Sequence, residues 1–243
     1  MAFYDLCAEL EKLDLMIKPK EAIRYDAAGE AIYTVESLRS LTDSAYILRI
    51  NRNGIDFTAG QHILLGEAGS SQMREYSIYS GEQDDFLEVL VREVEGGLVS
   101  KKLKRLKVGD AVQIEPPVGF FILPLKRMPH DRFLFLASGT GIAPFHSMIR
   151  SNPDLDYTLI HGVRHSTESF GMKDYDPAHY ILCTSRDDNG QFRGRLTDYL
   201  RQHPDPDYAL IYLCGNYDMI LDAMDILRSQ GYKEEQMVAE VYF

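Results

Sequence analysis

From about Ala31 to Leu123 the apolar residues fall in short runs, broken every few positions by glycine turns. Tyr46-Ile47-Leu48-Arg49-Ile50, His62-Ile63-Leu64-Leu65, Tyr76-Ser77-Ile78-Tyr79, Phe86-Leu87-Glu88-Val89-Leu90-Val91 and Ala111-Val112-Gln113-Ile114 read as strands. Asn53-Gly54, Ala59-Gly60, Ser80-Gly81 and Gly109-Asp110 are the turn signals between them. Many short strands with such turns predict an antiparallel barrel or sandwich. One helix interrupts: Val99, Leu103 and Leu106 fall at i, i+4 and i+7, an apolar stripe with lysines opposite.

After Pro124-Leu125-Lys126-Arg127-Met128-Pro129 the rhythm changes. Fully apolar strands at 133–137, 157–161, 180–184 and 209–214 alternate with helices, and a last strand is expected near 237–241. Ile220, Met224 and Leu227 mark the helical face before that strand. Buried strands alternating with helices predict a parallel, doubly wound α/β sheet. The expected organisation is a short helical leader over residues 1–29, a β domain over 30–127 and an α/β domain over 128–243.

Length agrees, since 243 residues suit one large domain or two of about 100–150 residues each. The balance of 26 Lys+Arg against 37 Asp+Glu, a net charge of −11, argues against general nucleic-acid binding. A local exception is Lys101-Lys102-Leu103-Lys104-Arg105-Leu106-Lys107, five basic residues in seven positions. No apolar run approaches the ~20 residues that span a bilayer. Asp5, Glu9, Glu11, Lys12 and Asp14 interrupt any secretory segment, so a cytoplasmic protein is expected. The scattered Cys7, Cys183 and Cys214 offer neither a disulfide framework nor the spacing of an iron–sulfur cluster, and no metal site is expected.

Chemistry enters with Gly139-Thr140-Gly141, which directly follows the first strand of the second half and opens a helix. Glycines there let the backbone approach a pyrophosphate, whose charge then faces the helix N-terminus. Pro144 occupies the place of the third small residue of the common fingerprint and suits the first turn of a helix. A lone G-x-G also serves ordinary strand-to-helix turns; its position after the first strand favours the nucleotide. An NAD-type fold carries an acid about 20 residues on, to hold the ribose hydroxyls. Here that strand end reads His161-Gly162-Val163-Arg164, with Ser185-Arg186 after the next strand and Gly194-Arg195 beyond. Any single arginine reads as a solvated surface residue. Three at successive strand ends fit a 2′-phosphate, which guanidinium binds by forked, charge-assisted bonds. The expected dinucleotide is NADP(H).

In the first half, Arg74-Glu75-Tyr76-Ser77 combines a phosphate partner, a flat ring for a heterocycle and a hydroxyl for a ring nitrogen. Gly97-Leu98-Val99-Ser100 opens the amphipathic helix, a further place for phosphate. Taken alone, both are equally a strand and a turn. Together with Pro117-Val118-Gly119-Phe120-Phe121, the glycine turn through Pro144, Cys214-Gly215-Asn216 and the closing Glu240-Val241-Tyr242-Phe243, they give the chain its likeness. It resembles the ferredoxin–NADP reductase family, in motif order, from roughly Ala31 to Phe243.

The resemblance implies a barrel that holds flavin, FAD rather than FMN, followed by a domain that holds NADP(H). It places Arg74, Tyr76 and Ser77 at the flavin, Gly97 to Ser100 at its phosphates, and Gly139, Thr140 and Gly141 at the NADP pyrophosphate. Cys214 and Glu240 are expected near the nicotinamide, with Ser77 hydrogen-bonded at the flavin. Tyr242 is expected to cover the flavin face opposite Tyr76, as a gate that swings aside. Phe243 lies one residue beyond the Glu-Val-Tyr end of the plastid branch, and either stacks on adenine or restrains Tyr242. The implied activity moves electrons between NADPH and ferredoxin or flavodoxin, with the basic run 101–107 steering an acidic carrier or merely forming a wet helix face. Two alternatives stand beside it: a reductase for another acceptor, such as free flavin or an oxygenase component, and a flavin-binding regulatory protein without turnover.

Overall fold

The computed structural model describes residues 31–128 and 130–242. The expected leader over 1–29 and the terminal Phe243 lie outside the described residues.

The first half is built from β1 (Tyr33–Ser40), β2 (Ala45–Asn51), β3 (His62–Glu67), β4 (Arg74–Ser77), β5 (Phe86–Arg92) and β6 (Ala111–Ile114). They form one antiparallel sheet in the order β4-β3-β6-β1-β2-β5. Its two end strands meet where Ile78 bridges Val89 and the Tyr79 N–H donates to the Glu88 carbonyl at 2.7 Å, so the sheet closes into a barrel. Closure removes the exposed edges that an open sheet would present. In β2 the period of two is visible in the packing. Tyr46, Leu48 and Ile50 fill the barrel, while Ala45 and Ile47 turn outward onto the second half. That double burial is why this strand is apolar almost throughout.

Helix α1 (Val99–Leu103) corrects the longer stripe expected from the sequence. It ends after five residues, and Leu106 packs against the barrel core from the turn that follows. Strand β1 had no clear apolar signal, because Val35 is its one buried residue.

The second half matches the expected α/β architecture. Strands β7 (Phe133–Ser138), β8 (Tyr157–Val163), β9 (Tyr180–Thr184), β10 (Phe192–Arg193), β11 (Leu210–Gly215) and β12 (Met237–Val241) are all parallel, in the order β10-β9-β8-β7-β11-β12. Helix α2 (Ala143–Ser151) covers one face. Helices α3 (Leu196–Gln202) and α4 (Tyr217–Ser229) cover the other. Alternation in β7 serves both layers: Phe133, Phe135 and Ala137 meet α2, whereas Leu134 and Leu136 meet α3 and α4. The strand order reverses between β7 and β11, and clefts for ligands open at the carboxyl ends of strands at such a reversal.

Helix α2 also docks the two halves. The His146 ring stacks on Tyr79 with centroids 3.6 Å apart, and Ser147 donates to the Ser80 carbonyl at 2.7 Å. Arg150 forks onto Asp84 at 2.6 and 2.7 Å, and across the sheet the Tyr212 hydroxyl donates to the Ile122 carbonyl at 2.8 Å. No helix among the described residues is long and apolar enough to cross a membrane.

Candidate functional site

The docking leaves one large cleft of about 1340 Å³ along the seam, lined by both halves. A single ligand usually occupies about 300–1,000 Å³, so this space accommodates more than one nucleotide. Arg74, Tyr76, Ser77 and residues 97–100 line it from the barrel. Gly139, Thr140, Arg164, Ser185, Arg186 and Arg195 line it from the α/β half, and Glu240 and Tyr242 stand between.

At the α/β end the two strand termini at the reversal interlock. Gly139 adopts φ +55°, and a Cβ on Gly141 would lie 2.4 Å from the Cys214 carbonyl oxygen. Gly215, at φ +129°, would place a Cβ 2.3 Å from Ser138 Oγ, which instead accepts the Asn216 N–H at 2.8 Å. Side chains would fill this cradle, and their absence leaves backbone exposed at the mouth of α2, as a pyrophosphate requires. Gly141 itself is buried beneath the turn rather than lining the cleft.

His161, which no motif singled out, fixes the turn. It is fully buried, and its Nε2–H donates to the Gly139 carbonyl at 2.8 Å while Nδ1 accepts from the Tyr180 hydroxyl at 2.9 Å. Burial pushes its pKa from 6.5 down to about 4. Within that window the unfolded chain binds a proton that the folded chain refuses. Stability therefore falls as pH drops from about 6.5 towards 4, by about 3 kcal/mol in all. Urea unfolding of the wild type and His161→Gln across this range checks it. The variant should lose less stability on acidification, and parallel curves would clear His161 of the effect.

Beyond the turn, the Arg186 N–H bonds the Arg164 carbonyl at 2.8 Å, which holds the ends of β8 and β9 side by side. Arg164, Ser185, Arg186 and Arg195 are all exposed. The neighbouring acid Asp187 is turned away, accepting from the Ser166 N–H at 2.7 Å and its hydroxyl at 3.1 Å. Asp218 and Asp222 of α4 also line this end, residues that carried no motif in the sequence.

At the barrel end Tyr76 is half-buried, and burial pushes its hydroxyl up to about 12. Arg74 is exposed, its guanidinium bonded to the Met73 carbonyl at 2.7 Å. Ser100, expected at phosphate, is 6% exposed and accepts the Val94 N–H at 3.3 Å, so its hydroxyl braces the turn. Gly97 permits that turn, since a Cβ there would come within 3.1 Å of Val94. The donors and the flat ring at this rim fit a flavin nucleotide.

The seam joins residues far apart in the chain. Tyr242 donates to Ser77 Oγ at 2.6 Å, and Ser77 donates to Glu240 Oε1 at 3.0 Å. Tyr242 is anchored by its N–H on the Gly215 carbonyl at 2.8 Å, and its hydroxyl also meets Cys214. Cys214 is fully buried and does not line the cleft. Burial, then the charge of Glu240, pushes its thiol well up, which makes it a poor nucleophile. Burial raises the Glu240 carboxyl too, an effect that the Ser77 hydrogen bond and nearby His62 partly offset. These groups are equipped to hold and pass protons.

Comparison with known proteins agrees with this geometry. A sequence model described as the oxidoreductase FAD-binding domain matches residues 34–122, and one described as the oxidoreductase NAD-binding domain matches residues 135–225. The flavodoxin/ferredoxin–NADP reductase of Rhodobacter capsulatus is 30% identical over 83% of this chain and 86% of its own length. The chain belongs to the ferredoxin–NADP reductase family. It is a flavin-dependent oxidoreductase of that family, with an FAD-binding barrel and an NAD(P)-binding α/β domain. Its relatives differ in what they serve: the electron transfer component of toluate 1,2-dioxygenase from Pseudomonas putida is also 30% identical, over 90% of this chain and 72% of its own length. Among solved structures, a ferredoxin NADP+ reductase from Neisseria gonorrhoeae with bound FAD and NADP shares the fold, with a TM-score of 0.78 and 24% identity over 88% of this chain and 98% of that one.

Proposed function

We propose that this protein transfers electrons between NADPH and a one-electron carrier protein, ferredoxin or flavodoxin. The observation that carries the reading is the Tyr242–Ser77–Glu240 chain of hydrogen bonds, set where the barrel rim and the dinucleotide turn share one cleft. Bound FAD would supply a hydride acceptor for reduced nicotinamide and a source of single electrons for the carrier.

The chain's own residues position and protect this chemistry. Arg74 and Tyr76 hold the flavin nucleotide at the barrel rim, and the Gly139 turn with Thr140 holds the pyrophosphate. Ser77 holds its one proton at Oγ, donated to Glu240 Oε1 in the resting arrangement, and turns it to the reacting edge once Tyr242 withdraws. Tyr242 excludes water from the nicotinamide's place and withdraws when the nicotinamide enters, a gating step. Tyr242→Ser should therefore tighten nicotinamide binding and weaken discrimination between NADPH and NADH. Unchanged affinity and selectivity would argue against the gate.

Arg164, Arg186 and Arg195 favour NADPH over NADH, because their exposed guanidiniums suit a 2′-phosphate, while the acid beside the end of β8, Glu168, is engaged by the Arg164 and His165 N–H groups at 3.1 and 3.2 Å and by Arg92 at 3.3 Å. Arg186→Ala should lower kcat/KM for NADPH by at least about tenfold and leave NADH unaffected. Equal values for both nucleotides, unmoved by the substitution, would remove the assignment.

For the carrier, the basic run contributes less than its count of charges. Lys102 pairs with Glu67 at 3.7 Å and Lys104 with Glu93 at 3.2 Å, Lys101 is half-buried, and Arg105 and Lys107 are exposed. These suit the steering of an acidic partner. The likeness to an oxygenase's electron transfer component supports a second reading, in which the acceptor belongs to an oxygenase. Comparing reduction rates for ferredoxin, flavodoxin and free flavin at low and high salt separates the two. A salt-sensitive preference for ferredoxin or flavodoxin supports the first; equal, salt-insensitive rates contradict it.

A further inference from the structure

We propose that His62 is a proton-relay residue, which carries the Glu240 proton between the seam and solvent. This rests on the function proposed above. Oxidation of NADPH by two one-electron carriers yields NADP+, two reduced carriers and one free proton, and the reverse reaction consumes one. That proton must cross a seam whose reacting edge is closed by Tyr242.

Three strands bring the relay together. His62 lies directly opposite Ser77 in the β3–β4 ladder, so the two side chains share one face of the sheet. Glu240 arrives on β12 from the other half and divides its carboxylate between them: Oε1 accepts from Ser77 at 3.0 Å, and Oε2 lies 4.0 Å from His62 Nδ1. A small ring rotation or one bridging water closes that gap.

Burial separates the inner end of the path from the outer. Ser77 is 4% exposed and has no outlet of its own, whereas the side chains of His62 and Glu240 are 20% and 22% exposed. Room for the imidazole is kept by Gly119, at φ +119°, where a Cβ would stand 3.1 Å from Nδ1 and 3.3 Å from Cε1. Imidazole suits the task because it gains and loses a proton near neutral pH.

The charged and titratable groups around Glu240 are few. Glu75 on β4 raises its carboxyl, His62 on β3 lowers it, and Cys214 on β11 and the Tyr242 hydroxyl flank it as protonated groups. His62 is the charge partner among these that lowers the Glu240 carboxyl, so removal of the imidazole should push Glu240 up.

The test compares His62→Gln with the wild-type holoprotein by two readouts. Carboxyl-carbon NMR should show Glu240 titrating at higher pH in the variant, a measurement that needs no turnover. NADPH-driven reduction of ferredoxin should slow by about tenfold at unchanged KM for NADPH and unchanged FAD content, with a shifted pH profile, and added imidazole should restore the rate. An unmoved Glu240 titration, or a rate and pH profile equal to wild type, would overturn the relay. If wild type itself reduces no carrier, the functional reading fails, and the same rate and imidazole rescue are then read with ferricyanide as acceptor.

Discussion

Replacement of Ser77 by alanine is expected to slow NADPH-driven flavin reduction by about 100-fold, the usual cost of removing one aimed donor at a reacting edge. FAD should stay bound, because Arg74, Tyr76 and the turn before α1 are untouched. The substitution deletes a single oxygen that accepts from Tyr242 and donates to Glu240, both across the boundary between the halves. Glu240 then loses the hydrogen bond that holds its carboxyl down, and burial drives it further towards the neutral form. Stopped-flow reduction of the FAD-loaded variant under anaerobic conditions measures the effect. A rate equal to wild type would take Ser77 out of the chemistry and leave it a packing residue.

Gly141→Ala is expected to act on the other side of the seam. Its new Cβ would lie 2.4 Å from the Cys214 oxygen, 2.6 Å from the Cys214 carbonyl carbon and 2.8 Å from Gly215 Cα. All three are backbone atoms, so no rotamer relieves the clash and the ends of β7 and β11 must part. Overpacking of this kind costs about 1–3 kcal/mol. The displaced turn should weaken dinucleotide binding by about 100-fold, as a misplacement of about 1 Å does to an oriented site. FAD content should not change, since the barrel is a separate core. Equilibrium dialysis with NADP+ and a thermal melt together give the answer. Wild-type affinity would mean that the pyrophosphate lies elsewhere.

The second half was the more legible in sequence, because parallel strands buried on both faces leave apolar runs that helices separate. The barrel was legible only where strands were buried. β1 hid its identity because Val35 alone points inward, and α1 looked too long because Leu106 keeps the stripe's spacing from within a turn. The candidate site residues showed in the sequence as motifs, not as contacts. Ser77 and Glu240 are 163 positions apart, and the docking of the two halves, through α2 on the Tyr79 loop and Tyr212 on Ile122, brings them to 3.0 Å. His161 was invisible for another reason: a neutral, doubly bonded histidine in an apolar strand has no pattern of its own. His62 shared that obscurity, since its meaning comes from the carboxylate that faces it across the seam.

Flavin and reduced nicotinamide are expected to meet at the Ser77–Glu240–Tyr242 seam. Anaerobic titration of the FAD-loaded protein with NADPH, followed by flavin absorbance, decides whether they do. The yellow colour should bleach fully at about one equivalent of NADPH. A flavin that stays oxidised in excess NADPH, or a protein that takes up neither FAD nor FMN, would contradict it.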